Sequence, residues 1–325
     1  MRSTVHSVFG EPADVLTLGE SPVPQPGPGQ VRIKTVLSPI HNHDLWTVRG
    51  QYGYKPELPA IGGSEAVGVV DALGEGVEGV PVGQRFAVAG VHGTWAEYFI
   101  APAKLLVPLP PAIADETAAQ LIAMPLSALM LLEFLEVERG AWIVQNTANG
   151  AVGKTLAMLA AARGVNTVNL VRRDAGVAEL SALGIQNAVS TAQSGWQEKV
   201  RAIVGDAPIL AAVDSVGGQA SGELLALLGD GGVLVSFGAM ASEPMQISSG
   251  DLIFKQAIVK GFWGTKASAA LTPEDKRRLF GELLGLAASG ELKLPVEAVY
   301  DLADSAKAAA ASLQPGRKGK VLLRP

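Results

Sequence analysis

The stretch Gln145-Asn146-Thr147-Ala148-Asn149-Gly150-Ala151-Val152-Gly153 carries small residues at the spacing Ala148-x-Gly150-x-x-Gly153. That spacing suits close approach of backbone to a pyrophosphate, with Ala in place of the first glycine of the dinucleotide fingerprint. Small side chains there let a helix pack tightly on the preceding strand. They also leave the helix N-terminus, with its N–H groups and positive dipole end, open to an anion. Without a cofactor the same loop reads as a tight strand-to-helix turn. About 20 residues further on, an NAD-selective site places a carboxylate against the ribose 2′-hydroxyl. Here Asn169-Leu170-Val171 runs into Arg172 and Arg173, so guanidiniums stand where that carboxylate would be. They suit a 2′-phosphate through forked, charge-assisted hydrogen bonds, and so select NADPH over NADH. The alternative is a pair of solvated loop cations beside an Asp174 that caps the next helix.

A loop of this kind works only between a strand and a helix, and the surrounding sequence supplies both. Residues 141–145 read as a short buried strand and 152–163 as an Ala-rich helix closed by Gly164. Strands follow at 167–171, 187–190, 209–214, 232–237 and 257–263, with a helix at 177–183. Near-continuous apolar strands alternating with helices predict a parallel, doubly wound Rossmann sheet. The first 120 residues differ in texture: short β-branched runs at 31–37, 66–70, 85–89 and 95–100 lie between Gly and Pro clusters, which predicts a β-rich, barrel-like unit. Residues 121–137 read as a buried helix. Pro273 to Ser289 forms an amphipathic helix with Thr272 as N-cap and Gly290 at its stop, and a strand at 320–323 ends the chain. The expected organisation is a β-rich domain over 1–120 completed by 266–325, with the Rossmann domain over 121–265.

Composition narrows the chemistry. The 325 residues include 38 Gly, 20 Pro and no Cys, which excludes thiolate nucleophiles, Fe–S clusters, Cys-ligated zinc and disulfides. With 26 basic and 31 acidic side chains the net charge is −5, and no basic run marks a nucleic-acid or membrane partner. No segment reads as a signal peptide or membrane span, so cytoplasmic residence is expected.

With these features in place, the chain resembles the medium-chain dehydrogenase/reductase superfamily over essentially its whole length. Within it the resemblance is to zinc-free mitochondrial-type 2-enoyl thioester reductases, with quinone oxidoreductases next. The matching segments are Leu37-Ser38-Pro39-Ile40 leading to Asp44, Gly50-Gln51-Tyr52-Gly53, and Pro56-Glu57-Leu58-Pro59-Ala60-Ile61-Gly62-Gly63-Ser64-Glu65. Ile143 to Asn146, Asn169 to Arg172 and Gly261-Phe262-Trp263 also match.

The resemblance implies a chaperonin-10-like catalytic domain beside the Rossmann domain, and NADPH-dependent reduction of a C=C bond conjugated to a carbonyl. The family's catalytic tyrosine falls on Tyr52, whose phenol stays protonated at neutral pH and donates to an oxyanion without a metal; the structural alternative is an aromatic plug, and Tyr54 is a nearby decoy. Phe262 and Trp263 fall where such reductases line the nicotinamide and substrate cleft; the alternative is a pair of aromatics at the sheet edge helping a dimer contact. Met240, after Phe237-Gly238-Ala239, falls where a loop passes the nicotinamide, and Lys320 comes within reach of the cofactor. A homodimer through the edge strand 257–263 is implied as well. The chain departs from the pattern at His41, where these reductases tend to carry Asn. His41-x-His43 invites a zinc reading, but the further ligand positions hold Ser64 and Met124, so no metal is expected. His41 or His43 is left as a candidate proton relay. The alternatives are a quinone or carbonyl oxidoreductase and a non-catalytic NADPH-binding protein.

Overall fold

The computed structural model describes residues 1–325 and divides into two compact units. Residues 1–123, 280–290 and 294–325 form the first, and 124–279 with 291–293 the second.

The first unit opens with β1 (Arg2–His6), α1 (Pro12–Val15), β2 (Thr17–Glu20) and β3 (Gln30–Pro39). There follow α2 (Asn42–Val48), β4 (Ala60–Ile61), β5 (Glu65–Leu73), β6 (Arg85–Ala89), β7 (Tyr98–Pro102), β8 (Val107–Pro108) and α3 (Asp115–Ala118). Strand β3 organises this part, pairing antiparallel with β5 on one side and β7 on the other. Its alternation sends Val31, Ile33 and Leu37 into the interior, as a strand with a two-residue period must. Val31 and Ile33 pack with Ala66, Val70, Phe86, Val88 and Phe99. Each fully buried aliphatic side chain contributes about 1.5–3 kcal/mol.

The Gly62-Gly63 pair shows why the turn before β5 has its sequence. A Cβ on Gly62 would lie 2.3 Å from the Trp95 ring, and Gly63 has φ +90 with Thr94 Oγ1 2.4 Å from where its Cβ would be. Only glycine lets the chain pass the buried Trp95 and deliver Ser64 and Glu65 to the interior.

The second unit takes up all but the first residue of α4 (Ala123–Phe134), then β9 (Trp142–Gln145), α5 (Ala151–Ala162), β10 (Asn166–Val171), α6 (Asp174–Ser181), β11 (Ala188–Ser190) and α7 (Trp196–Val204). It continues with β12 (Ile209–Asp214), α8 (Gln219–Leu227), β13 (Val233–Ser236), α9 (Ser249–Lys255), β14 (Ile258–Gly261), α10 (Gly264–Ala270) and the start of α11 (Pro273–Ser289). Its six strands are all parallel, in the order β11-β10-β9-β12-β13-β14. This is the doubly wound sheet expected from the sequence. Val144, Val168, Leu170, Trp196, Val200, Leu224 and Leu234 form its core.

The chain then returns to the first unit with β15 (Val296–Asp301), α12 (Ser305–Leu313) and β16 (Lys320–Arg324). Strand β16 pairs parallel with β15 and antiparallel with β3, setting Leu322 opposite Pro39. In this division the first unit resumes at residue 280, while Arg278, paired with Glu133, lies in the second. No helix is long and apolar enough to cross a membrane.

Where β3, β5 and β16 converge, the first unit buries a polar seam. Glu65, fully buried, accepts from the Ile122 N–H at 2.7 Å and the Ala123 N–H at 2.9 Å through Oε1. Its Oε2 lies 2.6 Å from His41 Nε2, and Lys320 Nζ donates to His41 Nδ1 at 3.0 Å. An ammonium has no lone pair, so His41 Nδ1 accepts and Nε2 donates. Burial, reinforced by the Lys320 charge, holds His41 neutral, well below the usual imidazole range. Burial pushes Glu65 up to about 7, against the pull of the two N–H donors. It brings Lys320 down to about 8.

These shifts predict how stability depends on pH. Glu65 favours its protonated form in the fold, so its contribution is complete below the ordinary carboxylate range and is lost as pH rises through about 7. Lys320 acts in the opposite sense: its contribution is complete above the ordinary lysine range and is lost as pH falls through about 8. The seam is therefore least favourable between these values. Denaturant unfolding of wild type and Glu65→Gln across pH 5–9 checks this. Relative to the variant, wild type is expected to lose roughly 1–3 kcal/mol between pH 5 and 7.5; a parallel pair of profiles would contradict it.

Candidate active site

Chemistry-bearing residues gather at two places, one in each unit. In the second, the loop from β9 to α5 is built around glycine and alanine as expected. A Cβ on Gly153 would meet Thr147 O at 2.6 Å and the Ala148 Cα at 2.7 Å, so the last glycine of the spacing is what lets α5 sit against the loop. Ala148 is buried, its N–H donating to Leu170 O at 3.1 Å. Gly150 is the N-cap and offers no side chain, while the first intrahelical bond runs from Lys154 N–H to Gly150 O at 3.0 Å. The N–H groups of Ala151, Val152 and Gly153 therefore keep their capacity for an anion. Asn149 and Val152 are partly buried in the same loop and Ala151 is exposed. This uncapped, close-packed loop fits the pyrophosphate of a dinucleotide.

Below the loop lies a buried frame. Gln145 Nε2 donates to Gly153 O at 2.8 Å and Asn169 Oδ1 at 2.7 Å. Asn146 Nδ2 donates to Asp214 Oδ1 at 2.7 Å, and Asn146 Oδ1 accepts from the Ser215 N–H at 2.7 Å. Asp214 also accepts from the N–H groups of Val216 and Gly217 and from the Ser221 hydroxyl. Asp214 thus fastens the loops after β9 and β12 together at the carboxyl ends of their strands, where open α/β sheets bind ligands. The sequence reading took Asp214 only as the end of a strand; a lone carboxylate closing an apolar run is the signal it held.

Arg172 and Arg173 are both exposed at the end of β10. Arg173 pairs with Glu179 at 3.1 Å, which leaves Arg172 the guanidinium without an ion-pair partner. Asp174 does not cap the next helix: it is the first helical residue, after an N-cap at Arg173, and accepts from Gln193 Nε2 at 3.2 Å. Phe262 is buried between Phe134, 5.3 Å away, and Phe237, 6.0 Å away. Gly238 donates its N–H to Asp214 O at 3.1 Å. Met240 and Trp263 are 64% and 68% exposed.

In the first unit the expected residues cluster at the start of α2 and the turn before β5. Tyr52 is 39% exposed, and its ring stacks on His43 at 5.7 Å. His43 stacks in turn on His41 at 4.9 Å. His41 is fully buried, so it reaches no substrate directly, and its two ring nitrogens are taken by Lys320 and Glu65. Lys320, expected near the cofactor, places its amine on His41 and Ile40 O. Asp44, almost fully buried, accepts from the His41 N–H at 2.9 Å and from the Ser64 hydroxyl at 2.6 Å. Tyr54 stacks on His92 at 4.0 Å. No group of three or more His, Asp or Glu side chains could hold a metal ion. The hydroxyl of Ser64, at an expected ligand position, is spent on Asp44. The sequence reading had no signal for the His41–Glu65–Lys320 grouping, whose members meet only through strand pairing.

Known proteins match this chain throughout. The alcohol dehydrogenase GroES-like domain matches residues 27–111, and the zinc-binding dehydrogenase domain residues 151–280. The chain is 33% identical to the mitochondrial enoyl-[acyl-carrier-protein] reductase of Homo sapiens, over 99% of this chain and 88% of that protein. Among solved structures, a mycobacterial quinone oxidoreductase superposes with a TM-score of 0.87 at 28% identity, covering 100% of both chains. The Escherichia coli quinone oxidoreductase complexed with NADPH does so with a TM-score of 0.88 at 25% identity, again over 100% of both. Matching domains at both ends, full-length relatives and a chain without cysteine together place it: the protein belongs to the medium-chain dehydrogenase/reductase superfamily, as a zinc-free oxidoreductase.

Proposed function

We propose that this oxidoreductase uses NADPH to reduce carbon–carbon double bonds conjugated to a carbonyl, in the manner of a 2-enoyl thioester reductase. The observation that carries this reading is Tyr52: an exposed phenol on the Gly-Gln-Tyr-Gly loop, braced by the His43 ring, in a chain 33% identical to an enoyl reductase over 99% of its length. When bound, NADPH supplies a hydride to the β-carbon. What the chain must then provide is a donor for the enolate oxygen and a proton for the α-carbon. Tyr52 serves as the oxygen donor, since a neutral phenol stabilises developing negative charge without a cation. The uncapped N–H groups of Ala151, Val152 and Gly153 bind the pyrophosphate, Asn146 and Asp214 hold the loop in place, and Arg172, with Arg173, selects the 2′-phosphate. Phe237, Gly238, Met240, Phe262 and Trp263 border the nicotinamide. His41 and Lys320 hold the turn that carries Tyr52's neighbours and do not meet substrate.

A quinone acceptor is the second reading, favoured by the solved quinone oxidoreductases of the same fold. A homodimer belongs to the proposal too: β14 is a sheet edge, and beside it Ile253, Phe254 and Ile258 are 66%, 85% and 54% exposed, an apolar patch suited to a second copy. A cytoplasmic setting is part of the same reading, although the human relative is mitochondrial, and cell fractionation checks it.

Oxidation of NADPH followed with crotonyl-CoA beside a simple quinone separates the two acceptors. Tyr52→Phe is expected to lower kcat with crotonyl-CoA by roughly 100-fold or more while NADPH affinity stays unchanged; turnover indifferent to that change removes Tyr52 from the chemistry. Replacing Arg172 and Arg173 together with alanine should weaken NADPH roughly 10- to 100-fold and leave NADH within a factor of about two in fluorescence titrations. Equal losses would remove the 2′-phosphate assignment. Ile258→Lys should convert a dimer to a monomer in light scattering; an unchanged mass would place the contact elsewhere.

A further inference from the structure

Beside Tyr52, Ser64 and Asp44 form a hydrogen-bonded relay onto His43 that the roles above leave unused. Ser64 Oγ lies 2.8 Å from His43 Nε2 and 2.6 Å from Asp44 Oδ1. Asp44 is almost fully buried, and its other oxygen is held by the His41 N–H. A carboxylate can only accept, so the single Ser64 proton points to Asp44, and the serine oxygen must accept from His43. His43 Nε2 therefore carries a hydrogen. The ring is fixed in one tautomer, and Nδ1, which has no hydrogen-bond partner in the chain, is the free nitrogen. The imidazole is also held flat, stacked on His41 at 4.9 Å and on Tyr52 at 5.7 Å. Unlike His41, it is partly open to solvent, with 26% of its side chain exposed.

We propose that His43 is the proton donor of the reduction, acting through Nδ1, with Ser64 and Asp44 as the positioning residues that hold its tautomer; this rests on the reductase reading above. As an imidazolium, His43 carries protons on both nitrogens, and the Asp44 carboxylate 3.5 Å from Nε2 balances its charge. Hydride adds to the β-carbon, and the C=C electron pair moves to give the enolate, held by Tyr52. Re-forming the carbonyl then makes the α-carbon nucleophilic. The α-carbon takes the Nδ1 proton, the N–H electron pair stays on nitrogen, and His43 is left neutral with Nε2–H still donating to Ser64. Water returns the proton. NADPH is oxidised by two electrons and the alkene reduced by two. The division of labour is geometric: Tyr52 donates to oxygen, and the ring stacked on it donates to carbon.

The test compares His43→Gln, Ser64→Ala and Ser64→Thr with wild type, following NADPH oxidation by crotonyl-CoA and by a quinone. His43→Gln is expected to bind NADPH as wild type does and to lose roughly 100- to 10,000-fold in kcat. Added imidazole should restore part of that rate, an effect a structural role would not produce. Ser64→Ala should lower kcat about 10-fold at unchanged KM, and Ser64→Thr should recover it. Independently of turnover, nitrogen NMR of the labelled imidazole should show His43 protonated at Nε2 when neutral, a preference lost in Ser64→Ala. A His43→Gln rate within about threefold of wild type, a loss that imidazole does not repair, or an Nδ1–H tautomer in wild type each overturns the proposal alone. Wild-type protein that oxidises NADPH with neither acceptor overturns the reductase reading and this proposal with it.

Discussion

A carboxylate taken wholly out of water has to be answered on both oxygens, and in the first unit Glu65 is where that demand is met. Two backbone N–H groups answer one oxygen and the His41 imidazole the other. Lys320 then answers the imidazole. Leaving any one of these groups unpaired would cost on the order of 1–3 kcal/mol, and more for a charged one. The requirement therefore fixes the end of β3, the start of β5 and the start of β16 against one another. The placement of His43, Asp44 and Ser64 follows from it, because His41 donates its N–H to Asp44 and Ser64 immediately precedes Glu65.

The second unit solves a related problem with two amides gathered around the buried Asp214. Gln145 ends β9 and Asn146 follows it, and their side chains spend their hydrogen-bonding capacity on Gly153, Asn169, Asp214 and Ser215. A parallel sheet leaves its loops at the strand ends short of partners, and these amides supply them together with Asp214. The loop that would meet a phosphate is thus rigid while its outward N–H groups stay free. The two units differ in composition, a Glu–His–Lys seam in one and amides around an aspartate in the other, yet in both a buried network holds outward-facing groups in place.

How far the sequence alone reached follows the range of the interactions involved. The Rossmann strands and α11, with the Asp275 N–H donating to Thr272 Oγ1 at 3.1 Å, are local patterns of apolar period, turn glycine and cap, and each is legible within a dozen residues. The tight loop between β9 and α5 was legible for the same reason. Lys320 beside His41 was not, since it depends on Leu322 lying opposite Pro39, and no periodicity reports which strand a returning chain will join. Strand β15 escaped because none of it is fully buried: exposed Glu297, Val299 and Asp301 alternate with partly buried Val296, Ala298 and Tyr300. Asp174 was read as a cap because its type suits one, but the chain enters the helix one residue earlier. The histidines were recognised as special, yet only geometry separates the buried His41 from the partly open His43.

The ammonium of Lys320 has a meaning of its own. A positive centre inside a protein can be imported as a metal ion, captured from solution by side chains held ready for it. Here the His41 imidazole has both nitrogens already committed, one of them to a cation that the chain makes for itself. The protein completes this part of its interior at the moment the last strand docks.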